Sequence, residues 1–143
     1  MTSAQPPDTR PGLIVAQSAT QSLLGYVVDV SDPDGTASAW LDIGAPHINR
    51  VGMFHGGLAA TLLDVACGFA ASRNFGGAVV DVPLVTVSLT VNYVGGAREG
   101  QRVIATGRVT GGGRKIAHVA GELTDDTDGL VATATGVYRK INT

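Results

Sequence analysis

One carboxylate stands alone in an apolar run. Between Leu58 and Ala71 the chain reads Leu-Ala-Ala-Thr-Leu-Leu-Asp-Val-Ala-Cys-Gly-Phe-Ala-Ala, with Asp64 its single charge and Thr61 and Gly68 the other breaks in the apolar surface. A helix without a wide polar face is a buried one, and taking an unpaired charge out of water is costly, so the acid is either neutralised by a partner or kept for chemistry. Chemistry is the favoured reading. Position excludes a role as helix cap or dipole partner, because those act within the first turn and Asp64 lies about two turns beyond Gly57 at 3.6 residues per turn. Thr61 and Gly68 share its stripe of the helix, which predicts a recess beside the acid.

The second group of candidates precedes the same helix. Asn49, Gly52, His55, Gly56 and Gly57 make a polar loop whose glycines allow another molecule to approach the backbone. The free N–H groups of a first helical turn carry partial positive charge and suit a developing oxyanion. A carboxylate together with oxyanion donors suggests acyl transfer.

Other reactive residue types have plainer readings. Cys67 lies among Val65, Ala66 and Phe69 with no base at helical spacing, so a buried structural thiol is expected. His47 and His55 match no standard zinc spacing, and no metal or cofactor is expected. His118 falls in a strand and is given no role; Trp40 is read as a packing residue. Gly111-Gly112-Gly113-Arg114-Lys115 lacks the spacing of a phosphate loop and reads as a hairpin turn.

The elements that must position these residues follow from pattern. The helix runs from the His-Gly-Gly stretch to a second set of breakers, Arg-Asn-Phe-Gly-Gly, beginning at Arg73. Strands are predicted at Leu23 to Val30, Thr36 to Ile43, Leu84 to Val94, Arg102 to Thr110, Lys115 to Thr124 and Leu130 to Arg139. In Leu84 to Val94, Val85, Val87, Leu89, Val91 and Tyr93 alternate with Thr86, Ser88, Thr90 and Asn92, which predicts one inward apolar face and one hydroxyl face. Gly44 to Phe54 is a loop, Asn74 to Val82 leads out of the helix, and Leu13 to Ser22 is a short helix or extended lead-in. The last strands are joined by short turns and must be antiparallel neighbours. Six strands and one buried helix give an α+β domain in which a curved antiparallel sheet wraps a central helix.

Composition sets outer limits. The 143 residues suffice for one domain with a real core, placed at 13–143, while Met1 to Gly12 holds three prolines and reads as a loose tail. Hydrophobic residues make up 44% and charged ones 15%, so apolar surface must be covered somewhere and self-association is expected. A net charge of −2 argues against nucleic-acid or anionic-membrane binding. No apolar segment has the length of a membrane span, the start lacks the apolar core of a secretory signal, and the single cysteine fits a reducing cytoplasm.

The pattern Asn49, two residues, Gly52, two residues, His55-Gly56-Gly57, then six residues to Asp64 resembles the hotdog-fold acyl-CoA thioesterases, and among them the phenylacetate-pathway (PaaI-like) group. The resemblance extends to about Tyr138 and implies a hotdog fold that hydrolyses acyl-CoA thioesters. It implies Asp64 as general base or nucleophile, the Gly56 N–H as oxyanion donor, His55 and Asn49 orienting substrate or water, and Thr86 as an assisting hydroxyl. Gly57, Thr61 and Gly68 would border the substrate, and Arg114 and Lys115 would meet the nucleotide phosphates of coenzyme A. Some relatives carry Glu for the acid, and some carry a hydroxyl one turn after it, where this chain has Gly68. The resemblance further implies a homodimer or a tetramer of paired dimers, with the pocket between subunits and Thr86 free to serve Asp64 of the other copy. Two other readings stay open: a hydratase or dehydratase using His55 and Asp64 as an acid/base pair, and a non-catalytic acyl-CoA binding protein.

Overall fold

The computed structural model describes residues 10–76 and 82–142. The chain forms β1 (Leu13–Ile14), α1 (Ala19–Leu24), β2 (Val27–Asp29), β3 (Ala37–Asp42), α2 (Gly56–Gly76), β4 (Leu84–Tyr93), β5 (Arg102–Gly112), β6 (Ile116–Asp125) and β7 (Leu130–Lys140). The strands make one antiparallel sheet in the order β1-β2-β3-β5-β6-β7-β4, curved around α2. The α+β expectation holds with seven strands rather than six, the addition being the two-residue β1.

Several local readings change. Leu13 to Ser22 contains both alternatives, a strand and then the start of α1, which Ser18 caps by accepting from the Gln21 N–H at 3.1 Å. The strand expected from Leu23 starts instead at Val27, because α1 runs through Leu24 and ends on Gly25 with a left-handed φ of 86°. The expected tail reaches into the fold: Arg10 accepts the Leu13 N–H and Gly12 accepts the Val30 N–H, which ties 10–12 to the sheet. Residues 1–9 of that tail, and 77–81 of the Asn74 to Val82 connection, lie outside the described residues.

How closely the sheet approaches α2 is set by glycine. Gly107 on β5 and Gly121 on β6 are register partners. A Cβ on Gly107 would stand 2.7 Å from the Ala66 carbonyl oxygen, and one on Gly121 would stand 2.8 Å from Cys67 Sγ. Two side chains are thus absent where the helix rides on the sheet, and Leu62, Leu63, Ala66, Cys67, Ala70 and Ala71 are buried there. Arg73, in the last turn of α2, donates to the carbonyls of Thr36 and Asp32 and ties the helix to the β2–β3 turn. The opposite stripe of α2 is not covered. Leu58, Thr61, Asp64, Val65, Gly68 and Phe69 remain half-exposed, so the helix predicted as buried all round is sheathed on one side.

Candidate active site

Asp64 is held by two hydroxyls from two strands. Its Oδ1 accepts from Thr86 Oγ1 at 2.9 Å and from Tyr138 OH at 3.0 Å. No cation pairs with it among the described residues, so the ion-pair explanation finds no partner here. A cleft of about 280 Å³ opens beside the carboxylate, lined also by Val65, Gly68, Phe69, Ser72, Leu84 and Thr86. The recess predicted at Gly68 exists: a Cβ there would lie 3.7 Å from the Tyr138 ring. Thr61, the other predicted flank, is not among the residues lining it; its hydroxyl donates to the Gly57 carbonyl at 2.9 Å on its own helix.

Thr86 reaches the acid because the strand does not alternate regularly. The β4–β7 register shifts between Thr86 and Ser88, and a bulged strand changes face. Before the bulge Leu84 and Thr86 face the cleft; after it Leu89 and Val91 pack against the core. Val85 and Val87, expected inward, are 46% and 58% exposed. Thr86 and Asp64 therefore meet within one chain, whereas the resemblance also allowed a meeting across two.

Two tyrosines complete the surroundings of the helix. Tyr138 is fully buried, and burial followed by the nearby Asp64 charge pushes its phenol far above the ordinary range, so it stays protonated and donates. Tyr93 OH donates to the Gly56 carbonyl at 2.6 Å and fixes the first peptide of α2. Sequence reading placed Tyr93 in a strand and gave Tyr138 no role. Burial, followed by the Asp64 charge, raises the Cys67 thiol to about 12, and that removes it as a nucleophile.

At the N-terminus of α2, His55 is the cap. Its Nδ1 accepts the Gly57 N–H at 2.9 Å, which puts the ring proton on Nε2, and its carbonyl accepts from Leu58 and Ala59. The Gly56 N–H is left without a partner among the described residues, while that of Gly57 is occupied. Asn49 Oδ1 accepts the N–H groups of Val51 and Met53, both at 3.0 Å, and so shapes the loop. His47 accepts the Gly44 N–H on Nδ1 and bonds the Leu24 carbonyl through Nε2 at 2.8 Å, a structural pin for the same loop. Asn49 and His55 border a separate depression with Ile48, Arg50 and Val51, so a single chain does not bring them to the Asp64 cleft. Gly56 and Asp64 are eight residues apart on one helix, about 12 Å along its axis.

Arg114 and Lys115 are exposed at the β5–β6 turn. The Lys115 carbonyl accepts from the Lys140 N–H, and Lys140 is the register partner of Leu84, which lines the cleft. The basic turn thus lies at the sheet end where the cleft opens. Trp40 packs under the Arg102 guanidinium, 3.9 Å from its ring centroid, and Arg102 also holds Asp42 through two hydrogen bonds. No helix among the described residues is long and apolar enough to cross a membrane.

With this geometry in hand, residues 51–132 match the model of the Thioesterase superfamily. The chain belongs to that family, and its thioesterase relatives mark it as a thioester hydrolase. It is 29% identical over 109 residues to acyl-coenzyme A thioesterase 13 of Homo sapiens, covering 76% of this chain and 75% of the relative. Its fold is that of the Escherichia coli PaaI protein from the phenylacetic acid degradation operon, with a TM-score of 0.76 at 21% identity, covering 88% of this chain and 86% of that one. A Streptococcus mutans protein solved with acetyl-CoA superposes with a TM-score of 0.66 at 24% identity, over 77% of this chain and 84% of the other.

Proposed function

We propose that two copies of this chain form an acyl-CoA hydrolase in which Asp64 of one copy and the Gly56 N–H of the other act on one thioester. The observation that carries this reading is the spacing along α2. A carbonyl whose oxygen is about 3 Å from a donor and whose carbon is about 3–3.5 Å from a nucleophile spans roughly 6–7 Å, little more with a water between. About 12 Å separates Gly56 and Asp64 along one helix, and the carboxylate is turned across to Thr86 and Tyr138. A second copy supplies the missing half.

Two surfaces suit that copy. One is the half-exposed stripe of α2 that carries Asp64. The other is the free edge of β4, ten residues long with Tyr93 56% exposed, and an open strand of this kind is a template for pairing. Asn49 and His55 then border the thioester from the Gly56 side, where the Nε2–H of His55 has no partner among the described residues. Arg114 and Lys115, at the mouth of the cleft, meet the coenzyme A phosphates. Asp64 activates water or attacks the carbonyl carbon itself.

The test is release of CoA thiol from short, long and aromatic acyl-CoAs by the parent, Asp64→Asn and Gly56→Pro. Proline fits the first position of a helix and removes the N–H, and its Cβ would stand 3.4 Å from Tyr93 Cε1, in ordinary contact. Each variant is expected to lose activity, and a mixture of the two, unfolded together and refolded, regains about a quarter of the parent rate, since half of randomly assorted dimers hold one intact site of two. A parent that binds these thioesters without releasing thiol overturns the hydrolase reading. Active single variants overturn the residue assignment, and a mixture as inactive as its parts overturns the shared site.

A further inference from the structure

We infer that Tyr138 is a positioning residue: its hydroxyl, with that of Thr86, occupies Oδ1 of Asp64 and leaves Oδ2 as the one oxygen that meets water or thioester. The inference rests on the hydrolase reading and deepens it. A carboxylate oxygen has about two lone-pair sites, and both sites of Oδ1 are taken, by donors at 2.9 Å and 3.0 Å from different strands. Those two bonds hold the carboxyl plane as well as its occupancy. A carboxylate free to rotate would offer either oxygen at varying angles, and a base or nucleophile acts only from the aligned geometry.

The helix itself does not supply this second donor. Thr61, one turn before Asp64, gives its hydroxyl to the Gly57 carbonyl at 2.9 Å, and the residues one turn after are Cys67, a buried thiol and only a weak donor, and Gly68, which has no side chain. The chain brings a hydroxyl in from β7 instead and clears a slot for its ring. A Cβ on Gly136 would lie 2.6 Å from Tyr138 Cε2, so Gly136 must stay bare, and Gly68 leaves the far side of the ring open. Facing Asp64 are Thr86 from β4, Tyr138 from β7 and Cys67 from α2, and its charge is felt by Tyr26 across the core; none of these is a cation. The two donated hydrogen bonds are therefore what fixes the orientation of the carboxylate.

Tyr138→Phe keeps the ring in its slot and removes only the hydroxyl. With the parent shown active first, this variant is expected to lose about tenfold in kcat with KM changed less than about twofold, and the acid limb of its pH–rate profile should move to higher pH. A ring that merely fills space moves neither. A second variant guards against a folding defect: 3,5-difluorotyrosine placed at 138 keeps the shape, donates more strongly and should move the acid limb to lower pH. An active parent whose acid limb stays put in both variants overturns the inference and leaves the hydrolase reading standing. An inactive parent, read before any variant, sinks that reading and this inference together.

Discussion

A single methyl group on the sheet, remote from the cleft, should disable the site. In Gly107→Ala the new Cβ would sit 2.7 Å from the Ala66 oxygen and 2.8 Å from both the Ala66 carbonyl carbon and Cys67 Cα, where ordinary contact begins at 3.4 Å. All three atoms are helix backbone, so no side chain can rotate away and α2 must move by about 0.7 Å, an overpacking strain that costs about 2–3 kcal/mol. A displacement of that size along the 2.9 Å and 3.0 Å bonds that Asp64 receives from Thr86 and Tyr138 takes them to about 3.6–3.7 Å, past the range of a hydrogen bond. The expected outcome is a Tm lower by about 5–10 °C and a fall in kcat with the fold retained. Gly121→Ala provides the contrast. Its Cβ meets Cys67 Sγ at 2.8 Å and Leu63 Cδ2 at 3.3 Å, both side-chain atoms. Adding Cys67→Ala should restore Gly121→Ala and leave Gly107→Ala unrelieved. Thermal melts and acyl-CoA hydrolysis on the two single and two double variants decide it. Gly107→Ala with parental Tm and kcat, or rescue of both alanines alike, refutes the claim that helix–sheet approach sets the site.

Two further outcomes follow from charge. Replacing Arg114 and Lys115 by alanine should raise KM for acyl-CoA by about fivefold, as expected for exposed phosphate contacts, and leave KM unchanged for an acyl-pantetheine that lacks the nucleotide; an equal rise for both substrates refutes a phosphate role. The Cys67 thiol, at about 12 when folded against an ordinary 9.0, contributes stability that is complete below pH 9 and declines toward pH 12, because the unfolded chain loses its proton first. About 1.4 kcal/mol should be lost by pH 10, so the urea midpoint should fall less between pH 8 and 10 in Cys67→Ala than in the parent; equal falls refute it.

What the sequence made legible is what local pattern encodes. A lone acid in an apolar helix is visible without coordinates because burial and charge conflict wherever the helix packs. The hairpins of the second half are visible because glycine-containing turns between alternating strands leave the chain little choice. The bulge at Thr86–Ser88 is not, since it depends on how β4 pairs with β7, and valine and threonine suit either face of a strand. The start of β2 was hidden for a related reason: Leu23 and Leu24 fit a strand as well as a helix, and only the capped ends at Ser18 and Gly25 decide between them.

The site residues divide along the same line. Asp64 and Gly56 announce themselves by chemistry, but the partner that completes Oδ1 lies 74 positions away, and no spacing rule connects a helix acid to a tyrosine on the last strand. The nearest signal was Gly136 before Tyr138, a bare position two residues away on the same face, which is what a large ring lying back along its own strand requires. Asp64 and the proposed oxyanion donor, Gly56, share one short stretch of sequence, which suggested one compact site, yet a rise of 1.5 Å per residue keeps them about 12 Å apart. Proximity along a helix and proximity at a reacting carbon are different things. A rigid α2 cannot fold back to bring its two ends together, which is why the proposed site draws on a second copy, with the half-exposed stripe carrying Asp64 and the edge of β4 as the surfaces offered to it.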